Sequence, residues 1–120
     1  TVLHMWDAES IWWQRMEGHA QLLIPGKEFN PTMKEAVNGL LNQSREWSSW
    51  MNRVTEEQLQ NEFHYKKLKG EAFTSGVWQV VHHLFNHGTY HRGQLVTMMR
   101  ELGSTEIPST DFIHWYRKIR

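Results

Sequence analysis

The chain has 120 residues, a formal net charge of zero from 13 basic and 13 acidic side chains, eight histidines, seven tryptophans and no cysteine. The balanced charge argues against a general nucleic-acid-binding protein, and the lack of cysteine excludes disulfides, thiolate metal sites and a cysteine nucleophile. No apolar run approaches the roughly 20 residues of a membrane span, and no secretory signal is visible, so we expect a cytoplasmic protein.

The chain opens with a helical pattern that a loop follows. Apolar residues recur at helical spacing over residues 2–17, and Gly18 is a suitable C-terminal stop. The pattern begins with no capping residue before it, so we expect a further segment upstream. Residues 19–31 are predicted to form a loop because two proline-containing dipeptides interrupt them, Pro25-Gly26 and Asn30-Pro31.

Two capping signatures mark the middle of the chain. Thr32 followed by Glu35 forms a capping box, which predicts a second helix from there to about Val54. Thr55 with Gln58 repeats the signature and predicts a short turn of helix.

The longest helix follows a segment that alternates imperfectly. Residues 63–73 favour a small β-hairpin. Thr74 or Ser75 is then predicted to cap a helix that ends at Leu102, before a glycine.

A loop over 104–110 and a short helix over 111–118 complete the predicted elements. Together they predict an all-α protein, an antiparallel helix bundle with an accessory hairpin, as a single domain over residues 1–120. A chain of this mass exposes about 6,800 Å² when folded, which is one third of the roughly 21,000 Å² of the unfolded chain.

The longest helix carries two histidines within its apolar stripe. In steps of three and four, the stripe contains Val77, Val80, Leu84, His87, His91, Leu95, Met98 and Leu102. Imidazoles four residues apart stack along one side of a helix and can reach one metal ion at roughly 2.0–2.1 Å. The alternative is a pair of buried, hydrogen-bonded histidines without metal, although an unpartnered buried imidazole costs about 1–3 kcal/mol.

A third ligand has to come from another element, and His4 on the first helix is the leading candidate. Asp7, one turn away, is either an acceptor for a ligand N–H or a solvated carboxylate. Three imidazoles leave a coordination position open, and an open position distinguishes catalytic metal sites from structural ones.

Several residues flank the histidine pair. Arg92, Gln94 and Tyr90 are candidates for orienting a substrate, with a solvated side chain as the alternative for Arg92. Gly88 and Gly93 each cost about 1 kcal/mol in a helix interior, which indicates close helix packing or space for a ligand.

These residues resemble a known family. Residues 84–94, Leu-Phe-Asn-His-Gly-Thr-Tyr-His-Arg-Gly-Gln, closely resemble the signature of the DinB family. The opening residues 3–9 with Trp12 and Trp13 resemble that family's second helix, and residues 109–113 are similar to its end. The resemblance spans almost the whole chain, and its Asn-His-x-x-x-His-Arg-Gly-Gln string is far more specific than a bare His-x-x-x-His.

The resemblance implies a DinB/YfiT-like antiparallel four-helix bundle. In that family one histidine of helix two and two of helix four hold a divalent metal ion, nickel or zinc, and the matching residues here are His4, His87 and His91. His83 matches a further histidine that lies beside the ligands. The family's first helix precedes the start of this chain, so the bundle is expected to be completed by an upstream helix or by a neighbouring chain.

The resemblance also implies a function. Characterised relatives include thiol-dependent transferases, such as bacillithiol S-transferases and the mycothiol-dependent maleylpyruvate isomerase, and dimers are common. We therefore expect a metal-dependent enzyme, an S-transferase or hydrolase-like protein, acting on a small electrophilic substrate with an external low-molecular-weight thiol or with water, as a homodimer. The alternative is a non-catalytic metal-binding stress-response or interaction protein.

Overall fold

The computed structural model describes residues 1–119, in which helices predominate and two strands form a hairpin. In chain order the elements are α1 (Val2–Met16), α2 (Pro25–Glu28), α3 (Met33–Arg53), α4 (Glu56–Gln60), β1 (Glu62–Lys66), β2 (Ala72–Gly76), α5 (Val77–Glu101) and α6 (Phe112–Ile119). The prediction of a mostly helical chain with one accessory hairpin is confirmed.

Both predicted capping boxes are present. Thr32 Oγ1 accepts a hydrogen bond from the Glu35 N–H, and Glu35 Oε1 accepts one from the Thr32 N–H. Thr55 and Gln58 form the same reciprocal pair at the start of α4. Each box satisfies two backbone donors that a helix start leaves free, so these two starts depend only on residues three apart.

The short helix α2 lies where the sequence predicted only a loop. Pro25 occupies its first turn, where a fixed φ suits a helix and the missing N–H costs nothing. The Gly26 N–H donates to Asp7 Oδ1 at 2.8 Å, so a side chain of α1 satisfies the start of α2. The loop prediction for residues 19–31 was wrong here because this partner is distant in sequence.

The hairpin is longer than predicted, and α5 begins later. β1 and β2 pair antiparallel from Glu62 opposite Gly76 to Lys66 opposite Ala72. The prediction that Thr74 or Ser75 caps the long helix was therefore wrong, since both lie in β2. Their hydroxyl groups bond across the hairpin instead, to His64 Nδ1 at 2.7 Å and to the Tyr65 hydroxyl at 3.1 Å.

The three long helices form a layer with α1 in the middle. Extended contacts join α1 to α3 and α1 to α5, whereas no comparable contact joins α3 to α5 within residues 1–119. α4 and β2 pack on α5. The four-helix bundle therefore stays a prediction.

The core lies between α1, α3 and the first half of α5, which contributes four of the seven buried apolar side chains of the described residues. Its buried apolar side chains are Met5, Ala36, Trp47, Val77, Val80, Val81 and Leu84. Farther along the predicted stripe of α5, Met98 is exposed and Leu102 is 88% exposed. The stripe prediction was wrong for this last part, because helical periodicity defines a face but not what covers it.

The layer leaves more surface in contact with solvent than size scaling predicts. The exposed area is 8989 Å², against the predicted value of about 6,800 Å². The extents of 44 × 38 × 20 Å describe a flat body, and α6 has apolar side chains on its exposed surface. None of the helices in residues 1–119 combines the length and apolar character needed to cross a bilayer.

Candidate metal centre

Three imidazoles from two helices meet where the first turns of α1 face the middle of α5. His87 and His91 lie one turn apart on α5, and His4 comes from α1. His87 Nε2 is 3.1 Å from His4 Nε2 and 3.2 Å from His91 Nε2. The three histidines predicted as ligands are therefore brought together.

The spacing of these nitrogen atoms fits a common metal ion. Metal–nitrogen bonds of about 2.0–2.1 Å place two ligand nitrogens ~2.9 Å apart at a right angle and ~3.3 Å apart at the tetrahedral angle. The observed separations of 3.1 and 3.2 Å lie between these limits. His4, His87 and His91 are thus positioned to bind a metal ion.

Gln94 fixes the orientation of one ligand. His91 Nδ1 lies 2.6 Å from Gln94 Oε1. Because an amide oxygen only accepts hydrogen bonds, Nδ1 carries the proton and the Nε2 lone pair faces the other two imidazoles. An outer partner of this kind sets the tautomer and raises the basicity of a metal-ligating histidine.

The electrostatics of the cluster favour a neutral His87. Burial lowers the pKa of His87, and the neighbouring rings of His91, His4 and His83 lower it further. A neutral His87 keeps a lone pair available for a cation at neutral pH.

His83 and Asp7, which were considered as neighbours of the ligands, both lie outside the ligand cluster. The His83 ring lies 5.8 Å from that of His87 and 5.8 Å from that of Trp12, so His83 adjoins the cluster without joining it. Asp7 is half-buried and accepts the Gly26 N–H. It therefore holds α2 in place, a role that sequence reasoning missed because α2 was not predicted.

The candidate orienting residues differ in their distance from the cluster. Tyr90 borders it, with its ring 5.0 Å from that of His91 and 66% of its surface exposed. Arg92 instead donates to Thr89 Oγ1 at 3.1 Å. Its guanidinium also lies near Gly88, where an added Cβ would be 3.0 Å from Nη1. Because this neighbour is the mobile end of a side chain of the same helix, the contact does not show that Gly88 is needed for close helix packing.

Glu9 is a further titratable residue near the centre that sequence reasoning missed. Its carboxylate accepts a hydrogen bond from the Ser44 hydroxyl at 2.7 Å. Burial raises the pKa of Glu9, while Ser44 and the positive charge of Arg92 act in the opposite direction. Glu9 follows the buried Met5 by four residues, and this spacing could have indicated its inward position.

Comparison with known proteins gives one result for the whole chain. The model of the DinB family matches residues 1–118 of the 120. The search of curated proteins and the search of solved structures each found no match. Because the family match covers nearly the full length and includes all three converging histidines, this protein belongs to the DinB family.

Proposed function

We propose that this chain is a metal-dependent enzyme in which His4, His87 and His91 hold a divalent ion, nickel or zinc, beside a small electrophilic substrate. The proposed reaction is thiol S-transfer, or a hydrolase-like reaction with water. The convergence of three Nε2 atoms with separations of 3.1 and 3.2 Å carries this proposal.

Residues of the chain keep the proposed ligands in the orientation and the neutral form that bind an ion, and the ion supplies the chemistry. A divalent ion supplies positive charge that lowers the pKa of a thiol or water at its open position. The chain contains no cysteine, so the thiol is an external low-molecular-weight molecule. Gln94 keeps the His91 lone pair directed at the site, and the lowered pKa of His87 keeps that ligand neutral.

The open side of the centre favours an enzyme over a closed structural site. Within residues 1–119, no fourth histidine or carboxylate joins the three ligands. His4 and Tyr90 are both exposed, so a small molecule can approach from their side. Three protein ligands with a free position are typical of catalytic metal sites.

The first test is the metal content of purified variants. We expect His87→Ala and His91→Ala to lose the ion, because each removes one of three ligands. His64→Ala is the matched control and should retain it, since His64 lies on the hairpin. Equal metal content in all three variants, measured by elemental analysis, would contradict the assignment.

The second test separates catalysis from metal storage. A panel of low-molecular-weight thiols and electrophiles is screened with the metal-loaded protein and with His91→Ala. We expect turnover by the former alone. A protein that binds the ion and shows no turnover with any pair or with water would support the non-catalytic alternative.

The role of Gln94 is testable without any substrate. Gln94→Leu removes the acceptor for His91 Nδ1 and is expected to weaken metal affinity about 10–100-fold. Gln60→Leu, at an exposed position of α4, is the control. Unchanged affinity of the Gln94 variant in a chelator competition would remove its positioning role.

The proposal places the protein in the cytoplasm as a homodimer. The dimer is supported by exposed apolar side chains on α6, namely Phe112, Ile113, Trp115, Tyr116 and Ile119. Contiguous exposed apolar surface marks interaction sites more often than free surface. Light scattering should give twice the chain mass, and a monomer at all accessible concentrations would contradict the dimer.

A further inference from the structure

A second concave site lies at the other end of α1. A cavity of about 520 Å³ opens between the end of α1 and the hairpin. Its lining residues include Arg15, His19, His64, Lys66 and Lys67, and none of its lining residues within 1–119 is acidic. The Glu17 carboxylate lies 3.7 Å from His19 Nε2, so the positive charge of the lining comes from Arg15 and the lysines, and this charge attracts anions.

Arg15 shows that the cavity is more than a group of solvated cations. Its Nε is buried and has no hydrogen-bond partner within the described chain. Burial also lowers the pKa of Arg15, so its charge is partly withdrawn from water. Within residues 1–119, no carboxylate forms an ion pair with it.

Two aromatic rings hold the guanidinium. Its Cζ lies 4.6 Å from the centre of the Trp12 ring and 5.3 Å from that of the Tyr65 ring. A cation–π contact contributes about 0.5–1 kcal/mol at exposed sites. An unsatisfied buried polar group costs about 1–3 kcal/mol, and more when it is charged, so the rings position Arg15 without replacing a hydrogen-bond acceptor.

We propose that this cavity binds a small molecule through a carboxylate or phosphate group, with Arg15 as the principal donor and Lys67 as a second cation. Lys67 Nζ lies 4.7 Å from the centre of the Phe73 ring. Phe73 is opposite Tyr65 in the hairpin, so Lys67 lies on the strand face whose Tyr65 ring contacts Arg15. A guanidinium matches the planar oxygens of both groups with two parallel hydrogen bonds. Tyr65 forms part of the wall and offers a ring against which the rest of the molecule packs.

The inference does not depend on a metal ion. Arg15 follows His4 by eleven residues on the same helix, a separation of about 16 Å along the axis. An anion on Arg15 is therefore too distant to coordinate the three histidines. The rings of His83 and Trp12 lie between the two sites, with centres 5.8 Å apart.

The test measures anion binding to metal-free protein that has been dialysed free of chelator. Inorganic phosphate and succinate are titrated separately by calorimetry, with chloride setting a constant ionic strength. We expect saturable binding of at least one anion. Phosphate alone indicates a phosphate ligand, succinate alone a carboxylate ligand, and both a site for either group.

Variants assign the binding to this cavity. Arg15→Gln should weaken binding at least tenfold, and Lys67→Gln, at an exposed position directly after β1, should weaken it less while leaving the fold intact. Arg53→Gln, another arginine at the end of a helix, should bind as the unsubstituted protein does. The inference fails if neither anion binds saturably, or if Arg15→Gln and Lys67→Gln both retain full affinity. Metal content remains a separate measurement, so either proposal can fail alone.

Discussion

The two sides of α1 are built from different chemistry. Toward α3, the Trp47 ring is 1% exposed, lies 5.1 Å from the Trp13 ring and donates its indole N–H to the Glu9 carbonyl at 3.0 Å. Toward α5, the His4 ring lies 4.7 Å from that of His91, and His4 is exposed. The first contact is largely apolar, although the buried Gln43 Nε2 of α3 has no hydrogen-bond partner within residues 1–119. The second brings together imidazole nitrogens that could bind a cation.

This difference separates the stability of the layer from its proposed chemistry. The α1–α3 contact is held by packing of the chain's own side chains. We expect the α1–α5 contact at the start of α1 to strengthen when a cation binds the three imidazoles, because metal binding is coupled to folding. We therefore expect substitutions on the α3 side of α1 to lower the free energy of unfolding with or without metal. Substitutions on the α5 side, or metal removal, should lower only the part of that free energy that depends on the ion.

The largest expected effect is on the side of α1 that packs against α3. Trp47→Ala removes the most deeply buried large side chain and its hydrogen bond to the Glu9 carbonyl. We expect a loss of about 3–5 kcal/mol in the free energy of unfolding, from the lost burial and the cavity left behind. Urea denaturation followed by circular dichroism measures this loss.

Trp78→Ala is the control for that measurement. Trp78 is 50% exposed at the start of α5, so its removal should cost clearly less. Equal losses for the two tryptophans would show that the burial of Trp47 between α1 and α3 adds no more stability than a half-exposed ring.

The next largest effect is expected on the side of α1 that faces α5. Adding the divalent ion at 100 times its dissociation constant should raise the free energy of unfolding by about 2.7 kcal/mol, because only the folded chain brings the three ligands together. Thermal melting with metal and with chelator measures the gain. His87→Ala should show no gain, and an equal response of that variant would place the ion elsewhere.

A smaller effect tests how closely α1 approaches α3. A Cβ at Gly39 would overlap the Trp6 ring, so Gly39→Ala should destabilise the protein by about 1–3 kcal/mol through overpacking. Gly93→Ala is the matched control on α5, where an added Cβ meets nothing within 4 Å. There the helix propensity of alanine should stabilise the chain by up to about 1 kcal/mol.

Local patterns predicted what depends on neighbouring residues. The boxes at Thr32 and Thr55 involve residues three apart, and the pairing of His87 with His91 follows from one helical turn. His4 was the leading third ligand on the first helix, and the family resemblance pointed to the same residue. The boxes and the His87–His91 pair need no knowledge of the tertiary arrangement, whereas the convergence of His4 with that pair depends on how α1 packs on α5.

The sequence could not predict contacts between distant elements. Asp7 satisfies the start of α2 only because α1 and α2 pack together. Thr74 has the chemistry of a helix cap, yet its partner is His64 on the neighbouring strand. The burial of Arg15 Nε likewise depends on how α1 packs in the folded chain.

The smallest effect concerns Glu9, which connects the two sides. Its carboxylate accepts from Ser44 on α3 and lies in the field of Arg92 on α5. Burial raises its pKa above the ordinary value of 4.5, so the protonated form is favoured in the folded state. The stability it contributes is fully present below pH 4.5 and is lost as the pH rises through the folded pKa.

Glu9→Gln removes this titration and keeps an oxygen that the Ser44 hydroxyl can donate to. We expect the variant to gain about 0.5 kcal/mol over the unsubstituted protein at pH 7 and to lose that advantage below pH 4.5. Glu46→Gln, exposed on α3, is the control and should show no such trend. Urea midpoints of metal-free protein between pH 4 and 7 measure the difference. A Glu9→Gln advantage that grows toward low pH would mean that the ionised carboxylate stabilises α1, through Arg92, more than burial costs it.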